Sequence, residues 1–176
     1  MQDPETLLQK AVKDHQTVLP DGTVLMDLID GVQRHETKNI ITGNGMTTEI
    51  FRHDWALHGL AIQHMVHVSF RPGGLSAWHL HTRQTDHIFC TAGSLRLVLF
   101  DDRPGSPTRG RLNIFHLSRM RPTLLVLPPH IWHGIQNLEA AESSFINFFD
   151  QQFCYEDPDD WRLPQDTDAI PYRFVP

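Results

Sequence analysis

The apolar residues of this chain fall in short runs rather than in helical stripes. VLMDLI (24–29), MTTEIF (46–51), AIQHMVHVSF (61–70), HIFCTAG (87–93), SLRLVLF (94–100), LNIFHLS (112–118), TLLVLP (123–128) and SFINFF (144–149) are rich in β-branched and aromatic residues. Turn-forming residues separate them: Asp21-Gly22, Pro72-Gly73-Gly74, the loop DDRPGSPTRG (101–110) and Pro128-Pro129. Many short strands cut by Gly and Pro predict an all-β antiparallel sandwich or barrel. Asp3-Pro4 ahead of ETLLQKAVK predicts one short N-terminal helix, with a capping aspartate and proline at the first helical position. The proline- and acid-rich stretch YEDPDDWRLPQDTDAIPY predicts a segment that wraps the barrel or a partner subunit rather than adding a core strand. The expected organisation is therefore a helical extension over 1–20, a barrel over 21–154 and a wrapping tail over 155–176.

Composition narrows the function classes. At 176 residues the chain has the length of one domain, and 40% hydrophobic residues are enough to bury a core. A net charge of −6 argues against nucleic acid, which needs a basic face. No apolar run approaches membrane-spanning length, and MQDPETLLQK has neither the basic nor the apolar region of a secretory signal. Cys90 and Cys154 are too few for a disulfide framework. These features predict a cytoplasmic protein without a membrane partner. The 12 histidines are the compositional oddity.

The stretch WHLHTRQTDHIFCTAG (78–93) holds the first chemistry. Side chains two apart on a strand point the same way. His79 and His81 share a face, with Trp78 and Leu80 on the other; Asp86, Ile88 and Cys90 share a face, with His87 opposite. Further on, PPHIWHGIQN puts Ile131, His133 and Ile135 on one face and Trp132, Gly134 and Gln136 on the other. His79, His81, Asp86 and His133 can thus all sit among inward-facing apolar neighbours, where polar groups need partners. A divalent first-row metal (Fe, Mn, Ni or Zn) satisfies three neutral imidazoles and a carboxylate at once, so those four residues are the expected ligands. No organic cofactor is expected. The remaining histidines, among them His64, His67 and His87, read as ordinary packing or surface residues.

Gly73, His79-x-His81, Asp86 and Gly93, followed by Pro128, His130, His133 and Asn137, resemble the two signature motifs of the cupin superfamily. Aspartate stands where glutamate is usual, and His130 where glycine is usual. The resemblance implies a single-domain jelly-roll barrel.

DDRPGSPTRG, with QTDHIFCTAGSLRLVLFD before it and LLVLPPHIWHGIQNL after it, is similar to the dTDP-4-dehydrorhamnose 3,5-epimerase family of deoxysugar-modifying cupins. The similarity runs from about Asn44 to about Trp161. It implies a homodimer, a nucleotide-linked 4-keto-6-deoxyhexose as substrate, and a reaction that needs no metal. In that reaction a histidine base removes a proton beside the C4 ketone, a tyrosine on the other face returns one, and donors hold the intermediate enolate. The base position falls on His79 and a second motif histidine on His133. The family's lysine falls on Asp86, the glutamine after the base on His81, and the acid tyrosine on Asn147. Two phosphate-holding arginines fall on Asn44 and Ser76, which leaves Arg52, Arg83 or Arg111 to contact phosphates. Trp78 and Trp132 are candidate sugar-stacking walls.

Three functions compete at this point. One is a deoxysugar epimerase or ketoisomerase with His79 as base and a metal replacing the lysine as electrophile. Another is a metal cupin of different chemistry, such as an oxygenase, a lyase or a free-sugar isomerase. The third is a non-catalytic sugar-binding cupin, favoured by Asn147 at the tyrosine position.

Overall fold

The computed structural model describes residues 7–58 and 61–175. In chain order they form α1 (Leu7–Lys10), β1 (Gln33–Glu36), β2 (Asn39–Thr42), β3 (Gly45–Thr48), a 3-10 turn (His53–Trp55), β4 (His64–Phe70), β5 (Leu75–Leu80) and β6 (Asp86–Ala92). Then follow β7 (Ser94–Phe100), β8 (Leu112–Ser118), β9 (Thr123–Leu127), β10 (Trp132–Asn137), β11 (Ser143–Phe149) and β12 (Trp161–Arg162). The Asp3-Pro4 cap of the expected helix lies outside the described residues. What is described of that helix is one exposed turn. No described helix is long and apolar enough to cross a membrane.

Two five-stranded antiparallel sheets face each other, ordered β1-β9-β6-β11-β4 and β12-β5-β10-β7-β8, with β2–β3 as a separate hairpin. This is the jelly-roll barrel that the cupin resemblance implies, within the all-β class that the strand pattern predicts. Ile88, Cys90, Leu97, Leu99, Leu125, Leu127, Ile135 and Phe145 fill the space between the sheets. Both outer faces are covered too. Ile50, Phe51, Trp55, Leu57 and Ile62 lie over Phe89, Leu124 and Phe148, and the C-terminal segment lies over Trp78, Val98 and Phe100 through Leu163, Ile170, Tyr172 and Phe174. That double coverage explains why β9 is buried at every position instead of alternating.

Three stretches differ from the sequence expectation. VLMDLI forms no strand; it runs into the core as irregular backbone, with the Ile29 amide donating to Asn113 Oδ1 at 2.8 Å and Ile29 itself buried. β1 and β2 were not foreseen, because QRHE and NIIT gain their pairing from β9 and β3 rather than from an apolar pattern. The tail, by contrast, adds only the two-residue strand Trp161–Arg162 at the edge of the second sheet, not a core strand.

The motif residues outside the histidines do structural work. Gly93 turns the chain between β6 and β7 at φ +70, and a Cβ there would stand 2.0 Å from Ser143 Oγ. The Asn137 amide donates to the carbonyls of Phe70, Arg71 and Ala141, tying three loop ends together.

Candidate active site

The two sheets part at one end around a cavity of about 370 Å³. Its floor is apolar, from Ile88, Leu97, Ile135 and Phe145, and its polar groups come from both sheets and from the tail. β5 contributes Ser76 and His79, the following loop His81 and Gln84, and β10 His133. β4 and β11 contribute His64 and Asn147, and the tail Asp159, Asp160 and Arg162. Pairing of β5 with β10 sets His79 directly opposite His133, which brings the two sequence-distant histidine motifs together.

His81, Asp86 and His133 form one cluster. His81 Nε2 lies 3.5 Å and His133 Nε2 3.7 Å from Asp86 Oδ2. The partners of each ring assign its tautomer. His81 Nδ1 is 2.7 Å from the Asp159 carbonyl and His133 Nδ1 is 3.1 Å from the Ile131 carbonyl, so both rings donate from Nδ1 and turn Nε2 towards Asp86. The Asp86 carboxyl is thus buried between two imidazoles, with few donors of its own. Accordingly, burial pushes the Asp86 carboxyl up to about 6, against the opposing pull of His81. Burial, with His81 and His79 alongside, holds His133 well below the ordinary imidazole value.

His79 stands apart from that cluster. Its Nε2 is 2.6 Å from Ser76 Oγ and 2.8 Å from Arg162 Nη1. A guanidinium only donates, so this nitrogen carries its lone pair. Burial first, then the Arg162 charge, push the imidazole down to about 4, leaving a neutral base at the cavity mouth.

Of the other expected contact residues, only Asn147 lines the cavity; its amide lies 3.4 Å from Asp86 Oδ1. Arg52 is ion-paired with Glu49 and Asp54 on the surface. Arg83 does not line the cavity and pairs with Asp157 and Asp159. Trp78 and Trp132 project from the outer face of the second sheet, where the tail packs on them, so they are not stacking walls. These four are corrections; for the two tryptophans the cause is strand alternation, since the residue next to His79 and the residue next to His133 point away from the site. Sequence reasoning missed His64, Gln84, Phe153, Asp159, Asp160 and Arg162. His64 had a legible signal, since it alternates in phase with Val66, Val68 and Phe70 on β4. The tail residues had none, because their pairing with β5 joins residues 83 apart in the chain.

Residues 27–169 match the family described as dTDP-4-dehydrorhamnose 3,5-epimerase. The chain belongs to that family. Among its curated relatives, the "Probable low-salt glycan biosynthesis epimerase Agl13" of Haloferax volcanii is 35% identical over 123 residues, covering 69% of this chain and 79% of the relative. A dTDP sugar isomerase from Desulfovibrio desulfuricans has the same fold, with a TM-score of 0.75 at 27% identity, covering 82% of this chain and 90% of that one. A double mutant of ChmJ, a 3′-monoepimerase from Streptomyces bikiniensis solved with dTDP, superposes at a TM-score of 0.73 and 17% identity, covering 86% of this chain and 78% of that one.

Family membership corrects the metal expectation, since the epimerases of this family move their protons without a metal cofactor. The geometry shows why the sequence suggested otherwise. The four residues expected to be ligands do not form one set: His79 is turned to Ser76 and Arg162, and only His81, Asp86 and His133 come within 4.8 Å of one another. The Fe, Mn, Ni or Zn expected from the sequence therefore lacks its four-residue ligand set.

Proposed function

We propose that the protein epimerises a nucleotide-linked 4-keto-6-deoxyhexose at a carbon beside the ketone, with His79 as the base. The observation that carries this reading is the His79 Nε2 lone pair, held unprotonated at the mouth of a cavity sized for one sugar ring. Removal of a proton beside a carbonyl needs such a base, a donor for the enolate oxygen and a proton source on the opposite face. His133, stacked on His79 with centroids 5.6 Å apart, acts as a positioning residue that keeps the ring in the cavity.

Asn147 cannot return the proton. In this reading His64 does so, because it is the titratable side chain that the β4–β11 wall turns into the cavity, on the sheet facing His79. The active form is a homodimer, which the β2–β3 hairpin supports by leaving Ile40, Ile41 and Met46 exposed. The reaction belongs in the cytoplasm, consistent with two free cysteines and with a nucleotide-sugar substrate.

The test is proton exchange. In D₂O the enzyme should wash deuterium into a dTDP-linked 4-keto-6-deoxyhexose beside the ketone and yield an epimer. His79→Asn should slow both about 10³-fold, and His64→Asn should keep exchange but lose inversion. Absence of exchange with the native enzyme on any such substrate would sink the reading.

A further inference from the structure

Removing a proton beside a ketone drives a full negative charge onto the carbonyl oxygen. That charge must meet a preorganised donor, preferably a cation in a partly dehydrated site. The cavity is poorly supplied with them. Asp159 and Asp160 line it, Asp86 lies against its histidines, and β6 offers that aspartate where a cation would serve the chemistry. Among the described residues that line the cavity, Arg162 is the one lysine or arginine.

Its position is built rather than incidental. β12 pairs with β5 so that Arg162 is the direct cross-strand neighbour of His79, and Trp161 of Leu80. Antiparallel neighbours project on the same side of the sheet, which ties the guanidinium to the base by backbone register. Its Nη1 sits 2.8 Å from His79 Nε2. Most other arginines, including Arg52, Arg83, Arg103, Arg109, Arg121 and Arg173, are neutralised by a carboxylate. Arg162 has no carboxylate within ion-pair distance among the described residues, although Asp159 and Asp160 are close in sequence. A charged group held uncompensated at the base is available to a developing anion.

We propose that Arg162 is the electrophilic residue of the reaction, leaving His79 Nε2 as substrate enters and donating to the ketone oxygen. The inference rests on the epimerase reading above. His79 takes the proton from the carbon beside the ketone. The C–H electron pair becomes the C=C bond, and the carbonyl π pair moves to the oxygen that Arg162 holds. A proton delivered to the opposite face of the same carbon restores the ketone, and His79 releases its proton to solvent. No electrons are gained or lost overall. The same guanidinium thus keeps the base unprotonated before substrate arrives and stabilises the enolate afterwards.

The experiment compares native enzyme with Arg162→Ala and Arg162→Lys, following deuterium wash-in and steady-state kinetics on a dTDP-linked 4-keto-6-deoxyhexose. Arg162→Ala should lower kcat by about 100-fold with KM little changed, as removal of an oxyanion donor does. Arg162→Lys should retain more activity than Arg162→Ala, and added methylguanidine should restore part of the alanine variant's rate. The acid limb of the kcat/KM profile should also move to higher pH in the alanine variant. Arg162 lowers the His79 value, while His81 lowers it and Asp160 raises it in both proteins. A purely structural loss would show neither rescue nor the moved limb. Unchanged kcat in Arg162→Ala, or a defect confined to KM, would overturn the assignment, the latter pointing to diphosphate binding. Exchange by the native enzyme with a fully active alanine variant defeats only this inference; a silent native enzyme defeats the epimerase reading and this inference together.

Discussion

Two aspartates are buried in this barrel, and their surroundings are opposite. Asp101, 0% exposed, accepts hydrogen bonds from the Arg103 amide and guanidinium and from the hydroxyls of Ser106 and Thr108. Burial alone would raise its pKa, but these donors hold the carboxyl far below its ordinary value. Asp86, 2% exposed, receives only the amides of Gln84 at 3.1 Å and Asn147 at 3.4 Å, and faces the Nε2 atoms of His81 and His133. Its carboxyl is pushed up to about 6. A fully satisfied carboxylate fastens a loop. A carboxyl left short of donors titrates nearer neutrality beside a base, which is how a functional site departs from a structural one.

The contrast can be broken in order of expected effect. His79→Asn, at the site, should reduce turnover about 10³-fold while leaving the melting temperature near native, as removal of a general base does. The native profile's acid limb should lie below the 6.5 of ordinary imidazole, since His79 is pushed down to about 4. A limb at or above 6.5 would argue that the base is another group.

Asp101→Ala, in the loop, should do the reverse. Leaving Arg103, Ser106 and Thr108 without their acceptor should destabilise the fold by about 3 kcal/mol. That is a drop of about 6–12 °C in Tm for a chain of this size. Calorimetry showing less than a degree of change would remove the loop from the stability account.

Asp86→Asn should carry the opposite sign. The folded value near 6 lies above the ordinary 3.8, so the penalty is absent below pH 3.8, grows as pH rises through the folded value and is complete above it. The variant should therefore gain on the order of 1–2 kcal/mol at pH 8 and nothing at pH 3.5, read from denaturant unfolding at both pH values. A loss at pH 8 would mean that the ionised carboxylate is stabilising after all. The smallest effect belongs to chelation. Prolonged treatment with EDTA should leave kcat unchanged, and a loss restored by one added metal would reopen the corrected cage.

Much of this was legible in the chain itself. Seven of the expected runs correspond to β3, β4, β6, β7, β8, β9 and β11 within a few residues, because alternating β-branched and aromatic residues between Gly and Pro leave few other folds. VLMDLI misled because an apolar run can enter a core as irregular backbone when a side chain such as Asn113 satisfies its amide. Period-two alternation assigned the inward faces of His79, His81, Asp86 and His133 correctly. It could not reveal that His79 turns away from the other three.

What the sequence determined by itself is therefore local and periodic: strand pattern, inward-facing residues, cupin motifs and family. What only the tertiary structure decided is which inward-facing groups touch. Arg162 meets His79 because β12 pairs with β5 across 83 residues of chain, and Asp159 reaches His81 in the same way. No local pattern encodes such a contact, since it is set by sheet register and by the covering of the outer faces. Those are properties of the whole barrel.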